Sequence, residues 1–489
     1  MRPPGIPPPA RAHIYGAALV SGIVLTAFSS GYGYHRDELY FRMLPNAWGY
    51  VDQPPLTPLL AHAFSAAFTD ATWAIRIPAT LATMASVVVI GLLAREFGGG
   101  RRAQALAAWG YASAAIPLIM GHALLTSTID LPVWPAIALC IVRAIRRVEP
   151  RWWLAAGLLT GLSMYNKLLV AVLLVSLAVA LALVGPRRLL VSRAVLGAAA
   201  IAVLVGLPNL LYQGAHGWPQ FAMGQALARN NATSVRIMMW PFLILMLGPP
   251  LVGLWIGGLR WLWRQRELRF LAVAFPVLLV FVFVMGAQFY YPLGLQDVLF
   301  AAGCASAEPL LYRGNGWRRA AIAGVAVNAA VSLVLALPLV PLHSLANTPI
   351  ADINQVARDS VGWPTYVAEI AAVYREIPAT DRAHAIVYAT NYGEAGAVDR
   401  YGPADGLPPP FSGQNALHDL PPPPANATIV VFVGGQYPSS RDLFATCAVR
   451  ARLDNHLGVD TEEQGEPVAL CRRPLGGWRT AWPQLRHLD

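Results

Sequence analysis

The sequence almost lacks lysine. Of its 36 basic residues, 35 are arginine and one is Lys167. Charge of both signs is also scarce: 13% of the 489 residues are Asp, Glu, Lys or Arg, against about 25% in a soluble domain. That scarcity excludes an ordinary water-soluble protein. Cysteine occurs four times. Cys140 and Cys304 lie in apolar runs and read as inert packing residues. Cys447 and Cys471 lie in a polar tail, close enough in sequence to close one loop if that tail faces an oxidising compartment, and free thiols if it does not. The net charge of +10 does not point to nucleic acid, because the arginines fall in short clusters between apolar runs, which is how membrane topology is encoded.

What the sequence has instead is hydrophobic length. Hydrophobic residues make up 56% of the chain, and runs long enough to cross a bilayer, roughly 17–25 residues each, recur through residue 342. We place spans at 14–30, 73–94, 103–120, 130–146, 152–166, 168–186, 194–211, 239–259, 270–286, 293–312 and 320–342, about eleven helices. The first lacks a small-residue cleavage site and reads as a retained helix, not a signal peptide. Arginine clusters fill alternate loops: Arg95, Arg101 and Arg102; Arg143, Arg146, Arg147 and Arg151; Arg187, Arg188 and Arg193; Arg260, Arg264, Arg266 and Arg269; Arg313, Arg318 and Arg319. Arg2 and Arg11 precede the first span. The positive-inside rule puts these loops and the N-terminus in the cytoplasm. Eleven crossings then leave the C-terminal tail outside. The expected organisation is a transmembrane module, 1–342, whose first outer loop is 31–72, and an extracytoplasmic α/β domain, 343–489. The tail is dense in proline and carries β-like runs, HAIVYA at 384–389 and ATIVVFVGG at 427–435, after a helix-like stretch at 364–376.

The outer loops hold the chemistry-bearing residues. GYGYHRDELYF, 31–41, sets Asp37 and Glu38 among aromatics at a bilayer boundary. Neighbouring side chains on a helix diverge by about 100°, so one of the two acts and the other supports. A carboxylate partly desolvated there is a suitable general base for a hydroxyl acceptor. An isolated Asp-Glu pair reads most simply as a solvated loop. Two further stretches shift that balance. In WGYVDQPPLTPLL, 48–60, Asp52 precedes prolines that start a helix. In GHALLTSTIDLPVW, 121–134, Asp130 sits at the outer end of a span, either as a functional acid or as a helix cap. Asp37, Asp52 and Asp130 could converge on one cavity. Lys167, in LSMYNKLLVAVLL, offers a compact ammonium for a phosphate, or snorkels to the interface. His216 could hold a metal with Asp52, although no ligand spacing specifies one.

Taken in order, these stretches resemble the glycosyltransferase family 39 type of integral membrane enzyme, which includes protein O-mannosyltransferases and is akin to the lipid A aminoarabinose transferases. The resemblance rests on RDELYF (36–41), GYVDQPPLTPLL (49–60), WAIRIPA (73–79), TIDLPVW (128–134), GLLTGLSMYNKLL (157–169) and YYPLGLQDVLFAAG (290–303), with NYGEAGAVDRYG (391–402) in the tail. It implies a fold of the GT-C type and a polyprenyl-phosphate-linked sugar as donor. The sugar would pass outside the membrane, with inversion, to a hydroxyl on lipid, polysaccharide or protein. No nucleic acid is implied, and a divalent metal is compatible with the pattern without being demanded. The family's acid pair falls on Asp37 and Glu38, and its further acids on Asp52 and Asp130. Gln53 and Gln288 stand where relatives carry lysine, and Asn166 where threonine is common. Lys167 is then the main cation for the donor phosphate, helped by Arg36 and Arg76, with Tyr290 and Tyr291 beside the donor. A transporter or lipid flippase would instead need ionisable groups through the midplane and repeated halves, and a non-catalytic envelope receptor would not need the acids to converge.

Overall fold

The computed structural model describes residues 5–488; Arg2 lies outside them. The chain divides into two compact units. The first takes in the described chain up to Ser29, Gln53–Thr57 and Arg76–Leu337, and the second Ser30–Asp52, Pro58–Ile75 and the chain from Pro338. Most of the segment 31–72 thus groups with the tail.

The first unit is helical. Arg11–Phe28, Ile77–Glu96, Thr126–Arg147, Arg193–Ala215 and Asn315–Ala336 are its long apolar helices. By length and composition, the described chain has five helices able to cross a membrane, or up to seven if each of two bent pairs forms one span. The count of eleven is therefore not reproduced by this measure. Val170–Val184 and Arg269–Met285 are apolar but short, and Leu293–Arg313 carries Gln296, Asp297 and Glu308 within it.

Two expected spans are broken. The helix Arg101–Ala112 gives way to Ala115–His122 at a bend of 51°. Pro117 sits in the first turn of the second piece, where its missing N–H matters least, and it could not continue the preceding helix without a clash. The span placed at 239–259 is two helical pieces, Pro219–Leu245 and Pro249–Arg264, bent by 72°. Gly248 at the corner has φ +102°, and two prolines follow it. Asn328 pins both corners: its amide donates to the Ser113 carbonyl at 2.8 Å and to the Leu247 carbonyl at 2.9 Å. A Cβ on Gly248 would collide with the Asn328 side chain.

At the arginine-rich ends, the carboxylate of Glu96 is fully buried. It accepts from Arg143 at 3.0 Å and from Arg147 at 2.5 Å, with Arg95 at 3.4 Å. Burying a carboxylate is costly without such partners.

The second unit is built on a five-stranded sheet: β1 (Ala385–Ala389), β2 (Pro410–Ser412), β3 (Ile429–Val433), β4 (Phe444–Arg452) and β5 (Pro467–Pro474). The spatial order is β2-β1-β3-β5-β4. The pairs β1–β2 and β1–β3 are parallel, while β5 runs antiparallel to β3 and β4. The central strands read AIVYA and IVVFV and are buried throughout, as expected of strands covered on both faces. Tyr388, Phe432, Phe444, Trp478 and Trp482 make up much of the core on the sheet. Cys447 lies opposite Cys471 in the β4–β5 register, and the two form a disulfide.

The same unit holds the short helix Arg36–Met43. It packs on the helix Tyr392–Tyr401, where Gly396 meets the backbone of Leu39: an added Cβ would come within 2.7 Å of the Leu39 carbonyl carbon. Asp70 ties in the segment Pro58–Ile75, accepting from Arg42 at 2.7 and 2.6 Å, with Arg400 at 3.4 Å.

Candidate active site

The helix Arg36–Met43 begins with a reciprocal cap. The His35 ring nitrogen accepts from the Asp37 N–H at 3.1 Å, and the Glu38 carboxylate accepts from the His35 N–H at 2.8 Å. This is a capping box with histidine in the place usually held by serine or threonine. Glu38 is fully buried in it. Asp37 is left partly exposed, and the Tyr392 hydroxyl donates to its Oδ1 at 2.9 Å. One turn on, the Tyr40 hydroxyl donates to Asp52 Oδ1 at 3.1 Å and accepts from the Ala416 N–H at 3.3 Å. The Tyr40 and Tyr392 rings lie 4.8 Å apart. Loss of hydration pushes both phenols well above their ordinary range, so both remain donors.

Burial pushes Asp52 up to about 7, and the charges of Asp37 and Asp419 add to the effect, while hydrogen bonds from its own backbone and from Tyr40 oppose it. Arg36 is buried, stacks 4.8 Å over the Tyr392 ring and pairs with Glu462. The second unit thus brings Arg36, Asp37, Glu38 and Asp52 into one neighbourhood through two tyrosines.

Asp130 and Lys167 form a separate group in the first unit. Asn166 organises it: its amide nitrogen donates to the Thr126 carbonyl at 2.8 Å and to Asp130 Oδ1 at 3.1 Å, and its oxygen accepts from Thr57 at 2.8 Å. The Lys167 ammonium donates to the Thr126 hydroxyl at 3.4 Å and lies 5.1 Å over the Tyr291 ring. Tyr290 packs edge-on against Tyr291 at 5.2 Å. Asp130, Trp134, Leu169, Tyr290 and Tyr291 line a small cavity.

Of the remaining expected residues, Gln53 is buried and its Nε2 has no hydrogen-bond partner among the described residues. Arg76 is buried, donates to the Ser29 carbonyl at 2.6 Å and lies 3.4 Å from the His122 ring. His216 is exposed, and its Nδ1 lies 2.8 Å from the Tyr212 carbonyl. Among the described residues, no three His, Cys, Asp or Glu side chains come together as a metal-binding group.

Sequence reasoning passed over Tyr40, Tyr392 and Asn166. Tyr40 stands three residues after Asp37, one helical turn away, and Tyr392 follows Asn391 of a capping box closed by Glu394. Asn166 stood out only as a departure from the family pattern.

Several long apolar helices with a small C-terminal sheet domain define a class: the chain is a multi-pass membrane protein with the GT-C glycosyltransferase fold. Residues 52–212 match the model of the dolichyl-phosphate-mannose-protein mannosyltransferase family. Among solved structures, ArnT from Cupriavidus metallidurans in the apo state is similar, with 13% identity, a TM-score of 0.57, and coverage of 93% of this chain and 97% of that one. The same ArnT bound to undecaprenyl phosphate matches equally, at 13% identity, TM-score 0.57 and the same coverage. At that identity the likeness is one of fold. Comparison with curated protein sequences gave no match.

Proposed function

We propose that this chain is an inverting glycosyltransferase. It moves one sugar from a polyprenyl-phosphate carrier to a hydroxyl of a lipid, polysaccharide or protein, on the membrane side opposite the arginine-rich loops. The observation that carries this proposal is the division of labour in the acid pair: Glu38 is spent on a helix cap, while Asp37 stays partly exposed with one oxygen held by Tyr392. A base needs that combination of access and fixed orientation. The match of residues 52–212 and the ArnT-like fold support the class of reaction, and the undecaprenyl phosphate bound by ArnT supports the class of carrier.

In the proposed step, Asp37 takes the proton of the acceptor hydroxyl as its oxygen bonds the anomeric carbon. The bond from that carbon to the phosphate oxygen breaks, and the carrier leaves as a phosphate monoester. Negative charge grows on the phosphate as it departs. Lys167, fixed by Thr126 and Asn166's neighbourhood, supplies a compensating cation, with Tyr290 and Tyr291 beside it and Arg36 and Arg76 as helpers. Asp52, lifted by burial to about 7, can hold a proton toward a sugar hydroxyl.

Deleting the gene and profiling envelope glycans and polyprenyl-phosphate sugars by mass spectrometry identifies the donor, which accumulates, and the acceptor, which lacks one sugar. Complementation with Asp37→Asn restores membrane insertion but not transfer. Near-normal transfer by that variant removes Asp37 from the mechanism.

A further inference from the structure

A cavity of about 860 Å³ in the first unit is lined by none of the residues of the candidate active site. Its walls come from the helices Arg11–Phe28, Arg101–Ala112 and Asn315–Ala336 and from the end of Leu293–Arg313. On the helix Asn315–Ala336, Ala321, Val325, Ala329 and Leu333 recur at every fourth residue, which keeps them on one face of a helix. Small side chains dominate that face, so the groove is deep. At one end stand Arg101, Arg102 and Arg318. Each lies in the first turn of its helix, and helix N-termini carry partial positive charge.

Arg102 donates to the Leu311 carbonyl at 2.6 Å and stacks 3.8 Å from the Tyr312 ring. Arg101 and Arg318 are exposed, with no carboxylate paired to either among the described residues. The neighbouring Glu308 accepts from the Gly100 N–H, which turns it to the backbone. The groove is therefore apolar along its length and cationic at one mouth.

Its depth identifies the occupant. From Ala321 to Leu333, at about 1.5 Å per residue, the apolar stripe runs for about 18 Å. One leaflet of the hydrocarbon core is roughly 15 Å deep, half of about 30 Å. Arginines at the end of a stripe of that length suit headgroup phosphates.

We infer that this groove binds an anionic diacyl phospholipid from the leaflet on the arginine-rich side, with acyl chains along Ala321–Leu333 and the headgroup phosphate between Arg101 and Arg318. The site is independent of the transfer reaction proposed above. Its chemistry calls for a phosphate of net negative charge and for chains that end within one leaflet.

Native mass spectrometry of the full-length, delipidated protein in neutral detergent tests this. The probes are phosphatidylglycerol and phosphatidylcholine of identical acyl chains, with undecaprenyl phosphate as competitor. At roughly a kcal/mol per basic residue near a lipid surface, two arginines give a preference for phosphatidylglycerol of about thirtyfold. Arg101→Gln with Arg318→Gln removes the preference, and the corresponding pair of lysine substitutions keeps most of it. Ala326→Trp, which fills the groove, displaces both phospholipids while an unchanged thermal midpoint in detergent shows that the protein is folded. Equal retention of the two phospholipids, a preference that survives the glutamine pair, or displacement by equimolar undecaprenyl phosphate overturns the inference.

Discussion

Asp52 makes a quantitative test of the acid neighbourhood. In an unfolded chain an aspartate titrates near 4, and in the folded protein burial lifts Asp52 to about 7. The folded chain holds this proton more tightly than the unfolded one. The stability Asp52 contributes is thus full below about pH 4 and is lost as pH rises through the interval to 7. Three pKa units correspond to about 4 kcal/mol. Asp52 keeps some solvent contact, so screening reduces the effect to about 2–4 kcal/mol. Asp52→Asn retains an oxygen to accept from Tyr40 and removes the titration. Thermal midpoints followed by tryptophan fluorescence from pH 4.5 to 8.5 should show the variant gaining on the wild type as pH rises, with most of the gain between pH 5 and 7. Difference infrared spectra of the wild type should show a protonated carboxyl band that disappears with a midpoint near 7 and is absent in the variant. Parallel pH profiles of the two proteins, or a band that vanishes near pH 4, refute the account of a desolvated Asp52.

Tyr392→Phe removes the hydrogen bond on Asp37; since bonds to charged groups contribute about 1.5–3 kcal/mol, kcat should fall by roughly 10- to 150-fold with KM little changed and the acidic limb of the pH profile moved, and an unmoved pH profile counts against Tyr392 as a positioning residue. Lys167→Met should weaken use of the phosphate-linked donor by a hundredfold or more, on the order of 3 kcal/mol for a charge-stabilising group, with Lys167→Arg recovering only part; full activity in Lys167→Met assigns the phosphate to another cation. Glu96→Ala leaves Arg143 and Arg147 without their buried carboxylate, and should lower stability by about 3–5 kcal/mol, read as a loss of folded protein in detergent. Cys447→Ser should lower stability by about 2–4 kcal/mol, moving the thermal midpoint down to the same extent as reducing agent does in the wild type, and additive effects of the two refute a role confined to the disulfide.

The features legible in the sequence were those written locally. Apolar runs and arginine clusters announce a helical membrane module, and the valine-rich strands and paired cysteines of the tail announce a sheet domain. The breaks leave local marks in Pro117 and in Gly248 with the two prolines after it, but what holds the corners at Ser113 and Leu247 was not legible, because it is Asn328, which is remote from both in the chain. The acid pair itself was visible, but its division of labour was half-hidden. His35 and Glu38 have the spacing of a capping box, though histidine is a rare residue for that place. Tyr392 lies 355 residues from the carboxylate it contacts, and no periodicity links positions so far apart. Contacts of that range come only from the packed tertiary structure.

The close approach of Gly396 to Leu39 bears on how such chains can be recombined. A hybrid made by cutting near residue 343 and attaching the C-terminal portion of a relative would confront the N-terminal segment with a foreign surface, and any residue larger than glycine at that point would push the two backbones apart. Productive crossovers should therefore exchange residues 30–52 and 58–75 together with everything beyond 338, so that the two stretches are inherited as co-adapted partners.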